Sequence, residues 1–461
     1  MPKRILFIPL ETISRELDAK LVLAHQVMDK DTICFFGQHD MIDSISQLFK
    51  NGVYVGKNIF KTYFPVDLRF YNTYKKNNHE ILWLHEEGGI YPGDPTDWNI
   101  TLRELLDASC LGRGDQILTW GDFQKDYYNM SASTNVLSVG SPRLNLLNGS
   151  LLRKLIQKFN RVTKSNFILV NTNFSVANHI SSTSIVLSDL MHGHDSLSDH
   201  HRVIQGYAEE KKILSYFIEA LSELAYRHPD EQFVIRPHPT EAMELYVDAF
   251  KIYANVTISK DYTAVEWIEK CNLLIQNGCT TAIEAHLMEK RVINFYPFES
   301  KNLINVTRDL GEDVTNFSEL ESAIFSSNSL PVTRMQNEGI GINKLINNLK
   351  NDYDESLLIN VIKKAVDDRQ GIRFNRMFVN IRIYTMLVIK TIFRAIKFYP
   401  RFLYTKKYIN YQTAIEHYPG MNKKDLTAKM DFLSSESEKD VKVKFFNNEL
   451  AMFYIDNSEQ P

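Results

Sequence analysis

Short apolar runs alternate with longer amphipathic segments over the first 300 residues, and this alternation constrains the fold more than any other feature. The runs are typical of buried strands. The segment Lys211–Arg227 is typical of a helix, because Ile213, Phe217, Leu221 and Leu224 recur at spacings of three and four. This alternation predicts an α/β fold with parallel sheets. Such sheets bind ligands beyond the carboxyl ends of their strands, so residues that directly follow a strand are the first site candidates.

The predicted strands fall into two groups, which indicates two sheets. The first group is Ile5–Pro9, Asp31–Phe36, Ile81–Leu84, Gln116–Thr119 and Val136–Val139. The second group is Phe167–Val170, Gln232–Ile235, Val256–Ile258, Leu273–Ile275 and Val292–Phe295. We therefore expect two Rossmann-like domains facing a cleft, over residues 1–160 and 161–350. A helical basic extension and a polar tail follow over residues 351–461.

The composition excludes several classes of protein. The 461 residues carry 53 Lys and Arg against 56 Asp and Glu, and the net charge of −3 argues against nucleic-acid binding. The four cysteines form no Cys-x-x-Cys pair, so we predict neither a zinc ribbon nor a disulfide framework. The apolar run at the start is too short for a signal peptide, and no run of about 18 uncharged apolar residues predicts a spanning helix. We expect a cytoplasmic protein.

The chain contains no Asp or Glu between Gly371 and Ile415, although it is slightly acidic overall. Nine basic residues lie there among aliphatic and aromatic ones: Arg373, Arg376, Arg382, Lys390, Arg394, Lys397, Arg401, Lys406 and Lys407. Such a stretch is typical of amphipathic helices that lie on an anionic membrane face, so we expect peripheral association through residues 371–410. The alternative is a helical pair that packs on the two domains with its basic side chains in solvent.

An acidic corner, His85-Glu86-Glu87-Gly88-Gly89, follows the predicted strand Ile81–Leu84. The two glycines allow the backbone to approach a ligand closely. A carboxylate from Glu86 or Glu87 could act there as a nucleophile or a general base. The alternative is a solvated turn.

A stiff basic segment, Arg236-Pro237-His238-Pro239, follows the strand Gln232–Ile235. The two prolines restrict the backbone and so fix the directions of the Arg236 and His238 side chains. Both side chains can donate charge-assisted hydrogen bonds, which suits a phosphate. The alternative is a rigid loop without a ligand.

A third segment, from Asn277 to Ala285, is typical of a glycine turn that leads into a helix. Gly278, Thr280 and Thr281 would offer unpaired N–H groups to an anion, and Glu284 one turn later could reach a ribose hydroxyl. The alternative is simple N-capping by Thr280. We interpret Cys279 as a spacer, because no base is evident beside it.

Two weaker candidates also follow strands. Asn171 and Asn173 come after Phe167–Val170 and could bind sugar hydroxyls, and Arg143 ends the loop after Val136–Val139. The histidines at positions 179, 192, 194, 200 and 201 lack a metal-binding spacing, so we expect no metal site.

Several of these segments together resemble the bacterial surface carbohydrate biosynthesis proteins over residues 3–300. The matching segments, in order, are Ile8-Pro9-Leu10-Glu11, Ser14 to Leu21, Glu86-Glu87-Gly88, Gly140-Ser141-Pro142-Arg143 and Asn171-Thr172-Asn173-Phe174. The layout is more distantly similar to the retaining β-Kdo transferases of capsule and O-antigen assembly, two-domain GT-B enzymes that use CMP-Kdo.

The resemblance to β-Kdo transferases implies roles for individual residues. Glu87 stands where the proposed Asp nucleophile of those enzymes lies, one methylene longer, and Glu86 is its neighbour. His238-Pro239 matches the motif that binds the CMP phosphate. Thr280, Thr281 and Glu284 match the phosphate and ribose contacts.

We therefore expect a GT-B-like glycosyltransferase that transfers an ulosonic acid, Kdo or a nonulosonic acid, from its CMP-activated form to a glycan acceptor. Residues 1–160 would be the acceptor-side domain and residues 161–350 the nucleotide-sugar domain, at the cytoplasmic face of the inner membrane. The expected nucleotide-binding residues are Arg236, His238, Pro239, Gly278, Thr280, Thr281 and Glu284. The candidate substrate contacts are Asn171, Asn173, Arg143 and Glu11, and no cofactor or metal is expected.

Two alternatives remain open. A CDP-polyol phosphotransferase, whose family also uses an Arg-x-His-Pro segment, would rely on its histidines. A non-catalytic scaffold of a polysaccharide assembly complex would need neither the histidines nor the acidic corner.

Overall fold

The computed structural model describes residues 2–57, 59, 68–86, 91, 95–148, 150–191, 196–298, 305–325, 341–397 and 418–456. The chain divides into two compact units. Unit 1 consists of Met1–Gly89, Thr101–Phe159 and Asn343–Pro461, and unit 2 of Ile90–Ile100 and Asn160–Ile342.

The strands are numbered in chain order. They are β1 (Pro2–Leu10), β2 (Thr32–Gln38), β3 (Val53–Gly56), β4 (Glu80–Leu84), β5 (Gln116–Thr119), β6 (Asn135–Ser138), β7 (Ile168–Asn171), β8 (Phe233–Arg236), β9 (Val256–Ile258), β10 (Leu273–Gln276), β11 (Arg291–Phe295), β12 (Glu312–Val314), β13 (Ile372–Arg373), β14 (Val441–Asn447) and β15 (Leu450–Ile455).

The α-helices are numbered in the same way. They are α1 (Ile13–Val27), α2 (His39–Ser46), α3 (Arg69–Lys76), α4 (Pro95–Leu105), α5 (Asp122–Asn129), α6 (Pro142–Asn148), α7 (Ser150–Phe159), α8 (Thr183–Met191), α9 (Leu197–Arg227), α10 (Glu244–Phe250), α11 (Ala264–Lys270), α12 (Thr281–Leu287), α13 (Phe317–Phe325), α14 (Ile342–Leu345), α15 (Leu357–Asp367), α16 (Arg376–Lys397) and α17 (Lys423–Ser435).

The sheet of unit 1 has the order β14-β15-β2-β1-β3-β4-β5-β6. Strands β1 to β6 run parallel, while β14 and β15 form an antiparallel hairpin on β2. The chain moves from β1 to β2 on one side and then to β3 on the other. The switch point of this sheet therefore lies between β1 and β3, which is where such sheets bind ligands.

The sheet of unit 2 is fully parallel, with the order β12-β11-β10-β7-β8-β9. Read from β9, this is the 3-2-1-4-5-6 order of a Rossmann sheet, and its switch point lies between β7 and β10. The register aligns the last residues of three neighbouring strands, Arg236 of β8, Asn171 of β7 and Gln276 of β10. Three polar side chains therefore lie side by side at the carboxyl ends of these strands.

The predicted α/β fold class with two Rossmann-like domains is confirmed by these two sheets. The predicted stripe on α9 is also confirmed: Ile213, Phe217, Leu221 and Leu224 are each 3% exposed or less and pack in the unit 2 core. Within the described residues, none of the helices has the length and hydropathy needed to span a bilayer.

The C-terminal segment differs from the predicted helical extension. Besides α15, α16 and α17 it contributes β13 and the hairpin β14–β15 to unit 1. Leu450, Ala451, Met452 and Phe453 of β15 are at most 1% exposed, because β15 pairs with β2 and buries its side chains. A short, partly polar segment gives no local sequence signal that it pairs with a strand about 400 residues away.

A buried neutral histidine predicts an acid-sensitive stability. His79 is 1% exposed, its Nδ1 accepts the N–H of Gly52 at 2.9 Å, and its Nε2 lies 2.9 Å from the Ser46 carbonyl oxygen. Burial lowers the pKa of His79 to about 4. Between about pH 6.5 and pH 4 the unfolded chain therefore binds a proton that the folded protein excludes. We expect the free energy of unfolding to fall by up to about 3 kcal/mol as the pH is lowered through this window.

Urea unfolding at several pH values measures this dependence. A His79→Gln variant should be less stable at pH 7 and should lose less stability than wild type on acidification. An identical pH slope in the two proteins would exclude His79 as the cause.

Candidate active site

The loops that follow β7 and β10 meet at the switch point of the unit 2 sheet. The main-chain N–H of Asn173 donates to Asn277 Oδ1 at 3.0 Å, and its side-chain Nδ2 donates to the Gly278 carbonyl at 3.1 Å. Asn171 Nδ2 donates to Thr281 Oγ1 at 2.9 Å. The structure thus brings together Asn171, Asn173, Gly278 and Thr281, which sequence analysis had singled out in two separate segments.

Two buried amides in these loops each keep one polar atom without a hydrogen-bond partner among the described residues. The atoms are Asn171 Oδ1 and Asn277 Nδ2, on residues that are each 1% exposed. Leaving such an atom unsatisfied costs about 1–3 kcal/mol, and most buried polar atoms in proteins are paired. One unfilled acceptor and one unfilled donor in adjoining loops indicate a place for a ligand that carries both kinds of group.

Arg236, the last residue of β8, adds a cation at the same sheet edge. Its Nη2 donates to the Tyr262 carbonyl at 3.0 Å, whereas its buried Nε has no partner within the part of the chain that the structure describes. Burial lowers the pKa of Arg236, and the nearby Cys279, Glu284 and Glu266 act in the opposite direction. Because the ordinary pKa of arginine exceeds 12, the side chain stays charged at neutral pH. Arg236 can therefore offer an N–H to an anion.

The buried carboxylate of Glu241 joins the loop after β8 to the loop after β7. Its Oε1 accepts hydrogen bonds from the His238 N–H at 3.0 Å, the Phe174 N–H at 3.1 Å and the Thr172 hydroxyl at 2.8 Å. The Tyr246 hydroxyl donates to Oε2 at 2.5 Å. Glu241 is fully buried, and its network fixes the backbone of His238 relative to the switch point.

The ring of His238 has a defined orientation. Its Nδ1 accepts the N–H of Thr240 at 3.3 Å and lies 2.8 Å from the Thr240 hydroxyl. In a neutral ring whose Nδ1 is an acceptor, the proton is on Nε2. The ring proton of a neutral His238 is therefore on Nε2. Pro239 is exposed, and its carbonyl accepts a hydrogen bond from Lys260 Nζ at 3.1 Å.

The loop before α12 differs from the predicted helix start. Gln276 Oε1 accepts the N–H groups of Gly278 and Cys279, both at 2.5 Å, so neither is left for an anion. The alternative of N-capping by Thr280 is wrong as well, because its side chain makes no cap hydrogen bond. The N–H groups of Thr280 and Thr281 find no acceptor among the residues whose positions are described. The N–H groups of Thr280 and Thr281 are therefore the candidate anion contacts in this loop.

A small cavity lies at the switch point of the unit 1 sheet. Its volume is about 10 Å³, the room of about one water molecule. It is lined by the ends of β1 and β3, by α1 and by the residues after β4, namely Pro9, Leu10, Glu11, Glu16, Lys20, Lys57 and Glu86. Two predicted residues, Glu86 and Glu11, are thus brought together, and Glu11 Oε2 pairs with Lys57 Nζ at 2.6 Å.

Lys20 lies between two buried carboxylates at this cavity. Its Nζ donates to Glu16 Oε2 at 2.9 Å and to the Pro9 carbonyl at 2.7 Å, and lies 2.9 Å from Glu86 Oε1. Burial opposes the charge of Lys20, but the charges of Glu16 and Glu86 outweigh it and raise the pKa of Lys20. Burial would likewise raise the pKa of Glu16, but Lys20 and the Glu11 N–H outweigh it, so that pKa is lowered. Glu16 and Lys20 therefore form an ion pair at neutral pH.

Glu86 is the carboxylate of this cluster that keeps an unfilled acceptor position. It is 5% exposed, and despite its closeness to Lys20 its Oε1 receives no hydrogen bond of good geometry from any described residue. An ion-paired carboxylate with an unfilled acceptor position can serve as a base or a nucleophile. Its predicted neighbour Glu87 lies outside the described residues.

The predicted substrate loop that ends at Arg143 is held by another part of unit 1. The Ser141 N–H donates to Asn348 Oδ1 at 2.8 Å, and Asn348 Nδ2 donates back to the Ser141 carbonyl at 3.2 Å. The Tyr353 hydroxyl donates to the Val139 carbonyl at 2.6 Å. The main-chain groups of Ser141 and the Val139 carbonyl are therefore already hydrogen-bonded within unit 1. Arg143 is half-buried.

Sequence reasoning missed three polar residues that build these sites, Glu16, Lys20 and Glu241, and it gave no role to Asn277, which begins the third candidate segment. Glu16 and Lys20 carried a signal, because an acid and a base four residues apart interrupt an otherwise apolar helix face. Glu241 carried little sequence signal, since its partners come from the loops after two different strands.

The histidines that raised the question of a metal do not converge in the described chain. His192 and His194 lie outside the described residues. In the remainder, no group of three or more His, Cys, Asp or Glu side chains has a metal-binding arrangement.

No protein-family model matches the chain, and no curated protein matches it. The predicted resemblance to the bacterial surface carbohydrate biosynthesis proteins therefore stays a prediction.

Solved structures with a similar course of the chain include nucleotide-sugar and teichoic acid enzymes. A variant of the wall teichoic acid polymerase TagF solved with CDPG is 11% identical, with a TM-score of 0.43 over 80% of this chain and 89% of that chain. The UDP-GlcNAc 2-epimerase of Methanocaldococcus jannaschii is 11% identical, with a TM-score of 0.45 over 79% of this chain and 100% of that chain. The S. aureus MnaA–UDP structure is 11% identical, with a TM-score of 0.44 over 81% and 100%. At this level the likeness does not extend to chemistry.

Proposed function

We propose that this protein is a cytoplasmic glycosyltransferase that transfers an ulosonic acid, Kdo or a nonulosonic acid, from its CMP-activated form to a surface glycan acceptor. The observation that carries the proposal is the switch point of unit 2. There the half-buried Arg236, through its buried Nε, and the buried amides of Asn171 and Asn277 keep polar atoms that no described residue satisfies. A nucleotide monophosphate ester supplies the complementary groups, phosphate oxygens for the donors and hydroxyls for the acceptor.

The donor chemistry suits this set of contacts. When the glycosidic bond to CMP breaks, negative charge develops on a single phosphate. Arg236 and the Nε2–H of His238 can stabilise that charge through charge-assisted hydrogen bonds. The N–H groups of Thr280 and Thr281 would add two further donors, and the buried Glu284 would accept a ribose hydroxyl.

We assign the reacting carboxylate to the acidic corner that follows β4 in unit 1. In a retaining transfer Glu86 or Glu87 would attack the anomeric carbon, and CMP would leave with the bonding electron pair. The acceptor hydroxyl would then lose its proton and attack the same carbon, and the carboxylate would leave in turn. In an inverting transfer the same carboxylate would remove the proton of the acceptor hydroxyl. Lys20 is a positioning residue in both cases, because it holds Glu86 in place through their ion pair at 2.9 Å.

A nucleotide screen tests the donor class. We expect CMP to raise the melting temperature more than CDP, UDP or GDP at equal concentration. A ligand at 100 times its Kd stabilises a protein by about 2.7 kcal/mol, which is readily detected. Arg236→Met should weaken CMP binding at least about tenfold in calorimetry, since a charge-assisted contact contributes about 1.5–3 kcal/mol.

Arg227→Met is the matched control for Arg236→Met. Arg227 also lies in unit 2, but it is an exposed residue at the end of α9 that pairs with Glu223 at 2.6 Å. CMP affinity should not change in this variant. Equal CMP affinity in wild type and Arg236→Met would contradict the phosphate role of Arg236.

The same screen separates the alternatives. Selective stabilisation by CDP and a CDP-polyol would favour the phosphotransferase, and no response to any nucleotide would favour the scaffold. Release of CMP from CMP-Kdo or from a CMP-activated nonulosonic acid then identifies the donor sugar.

A further inference from the structure

The helix α16 carries a broad apolar face that the described part of the chain leaves exposed. Eight large apolar or aromatic side chains on it are 47–72% exposed: Met377, Phe378, Ile381, Tyr384, Val388, Ile389, Ile392 and Phe393. A soluble surface normally shows such side chains singly, and a contiguous apolar patch of this size marks an interaction surface.

The opposite side of α16 is attached to unit 1. Val379, Ile383 and Leu387 recur every four residues and are at most 9% exposed. At about 100° per residue, this buried stripe lies roughly opposite the centre of the exposed apolar face. Arg382 Nη1 donates to the Leu48 carbonyl at 3.5 Å, and Lys390 Nζ donates to the Asp40 carbonyl at 2.6 Å. The helix is therefore held in one orientation, with its second apolar face turned outward.

The positive charge of residues 371–415 favours an anionic partner. Residues 371–415 contain nine basic residues and no Asp or Glu. A second copy of the chain docked on this face by two-fold symmetry would bring one acid-free basic segment against another, which repulsion disfavours. An anionic surface attracts cations that lie close to it, at about 1 kcal/mol for each Lys or Arg, and the Arg382 guanidinium lies 5.7 Å from the ring centroid of Phe378 on the exposed face.

We propose that the exposed face of α16 docks on an anionic lipid bilayer, with the helix parallel to the membrane plane. The 22 residues of α16 span about 33 Å, and such helices bury their apolar side at the boundary between headgroups and acyl chains. The aromatic rings of Phe378, Tyr384 and Phe393 suit that boundary. Unit 1 is thereby held at the membrane through the helix that is fastened to it.

Co-sedimentation of the full chain with vesicles tests this surface. We expect binding to vesicles of phosphatidylcholine with 30% phosphatidylglycerol, and at least about tenfold weaker binding to phosphatidylcholine alone. Raising the salt to about 0.5 M should weaken the binding, since surface charges are screened. The triple variant Met377→Ser, Ile392→Ser and Phe393→Ser should lower the lipid partition coefficient at least tenfold.

A control triple variant removes equally exposed apolar side chains elsewhere: Met130→Ser, Leu197→Ser and Ile252→Ser, at 78%, 86% and 81% exposure. It should bind the anionic vesicles like wild type. Unchanged vesicle binding by the α16 variant overturns the proposal, as does equal loss in the control. A wild-type dimer that the α16 variant converts to a monomer, without any lipid binding, would assign the face to a second copy instead. Loss of thermal stability in the α16 variant without lipid binding by wild type would show that the chain itself covers the face.

Discussion

The double variant Glu86→Gln, Glu87→Gln is expected to release CMP from its donor at least about 10³-fold more slowly than wild type. Either carboxylate can supply the nucleophile or base of the transfer, so a single replacement leaves the other in place. An amide is neither basic nor nucleophilic at neutral pH, and general-base catalysis alone contributes about 10²–10⁴-fold. The measurement is the initial rate of CMP release at saturating donor, with CMP affinity measured separately by calorimetry.

The control for the acidic corner is Glu80→Gln at the opposite end of β4. Glu80 keeps a hydrogen-bond partner in Gln116 at 3.2 Å, so the amide should be tolerated and turnover should not change. The two single variants at positions 86 and 87 then show which carboxylate carries the reaction. Turnover that survives in the double variant would remove both residues from the mechanism. CMP affinity should remain at the wild-type value, because the predicted nucleotide contacts are in unit 2.

Lys20→Met is expected to destabilise unit 1 by about 3–5 kcal/mol. The change removes the only cation within 3 Å of Glu16 and Glu86 among the ion pairs in the described chain, and leaves two carboxylates buried without compensation. The loss should shrink below about pH 5, because Lys20 lowers the pKa of Glu16 in the wild type, and that contribution to stability is lost as the pH falls through the ordinary range of glutamate. Urea unfolding at pH 7.5 and pH 4.5 measures both effects.

Two further variants make the test of Lys20 specific. Lys154→Met removes one partner of an exposed ion pair with Glu436 and should cost at most about 1 kcal/mol. The double variant Lys20→Met, Glu16→Gln should recover part of the stability, because it neutralises one of the two orphaned charges. A cost for Lys20→Met no larger than that for Lys154→Met would show that the buried cluster does not contribute to stability.

The unit 2 site illustrates what local sequence can predict. Arg236, Asn171 and the Asn277 loop each directly follow an apolar run, and parallel strands deliver their carboxyl ends to one edge. The identification of these residues as neighbours therefore needed only the rule for parallel sheets. Which N–H groups stay available depended on Gln276, whose side chain folds back over its own loop.

The unit 1 cluster illustrates what local sequence cannot predict. Lys20 is on the helix after β1, while Glu86 follows β4, and their contact requires the strand order β1-β3-β4. The strand β3 was not predicted. The pairing of β15 with β2 likewise depends on sheet order rather than on local hydrophobicity.

The hairpin β14–β15 makes the order of synthesis matter for unit 1. The strand β2 remains uncovered on this side until residues 441–455 have left the ribosome, whereas the strands of unit 2 in the described part of the chain have all been made by residue 314. Unit 2 can therefore fold during translation, while β2 of unit 1 still lacks its partner strand β15. An unpaired edge is a template for intermolecular strand pairing, so slow elongation between residues 314 and 455 should favour aggregation of the nascent chain.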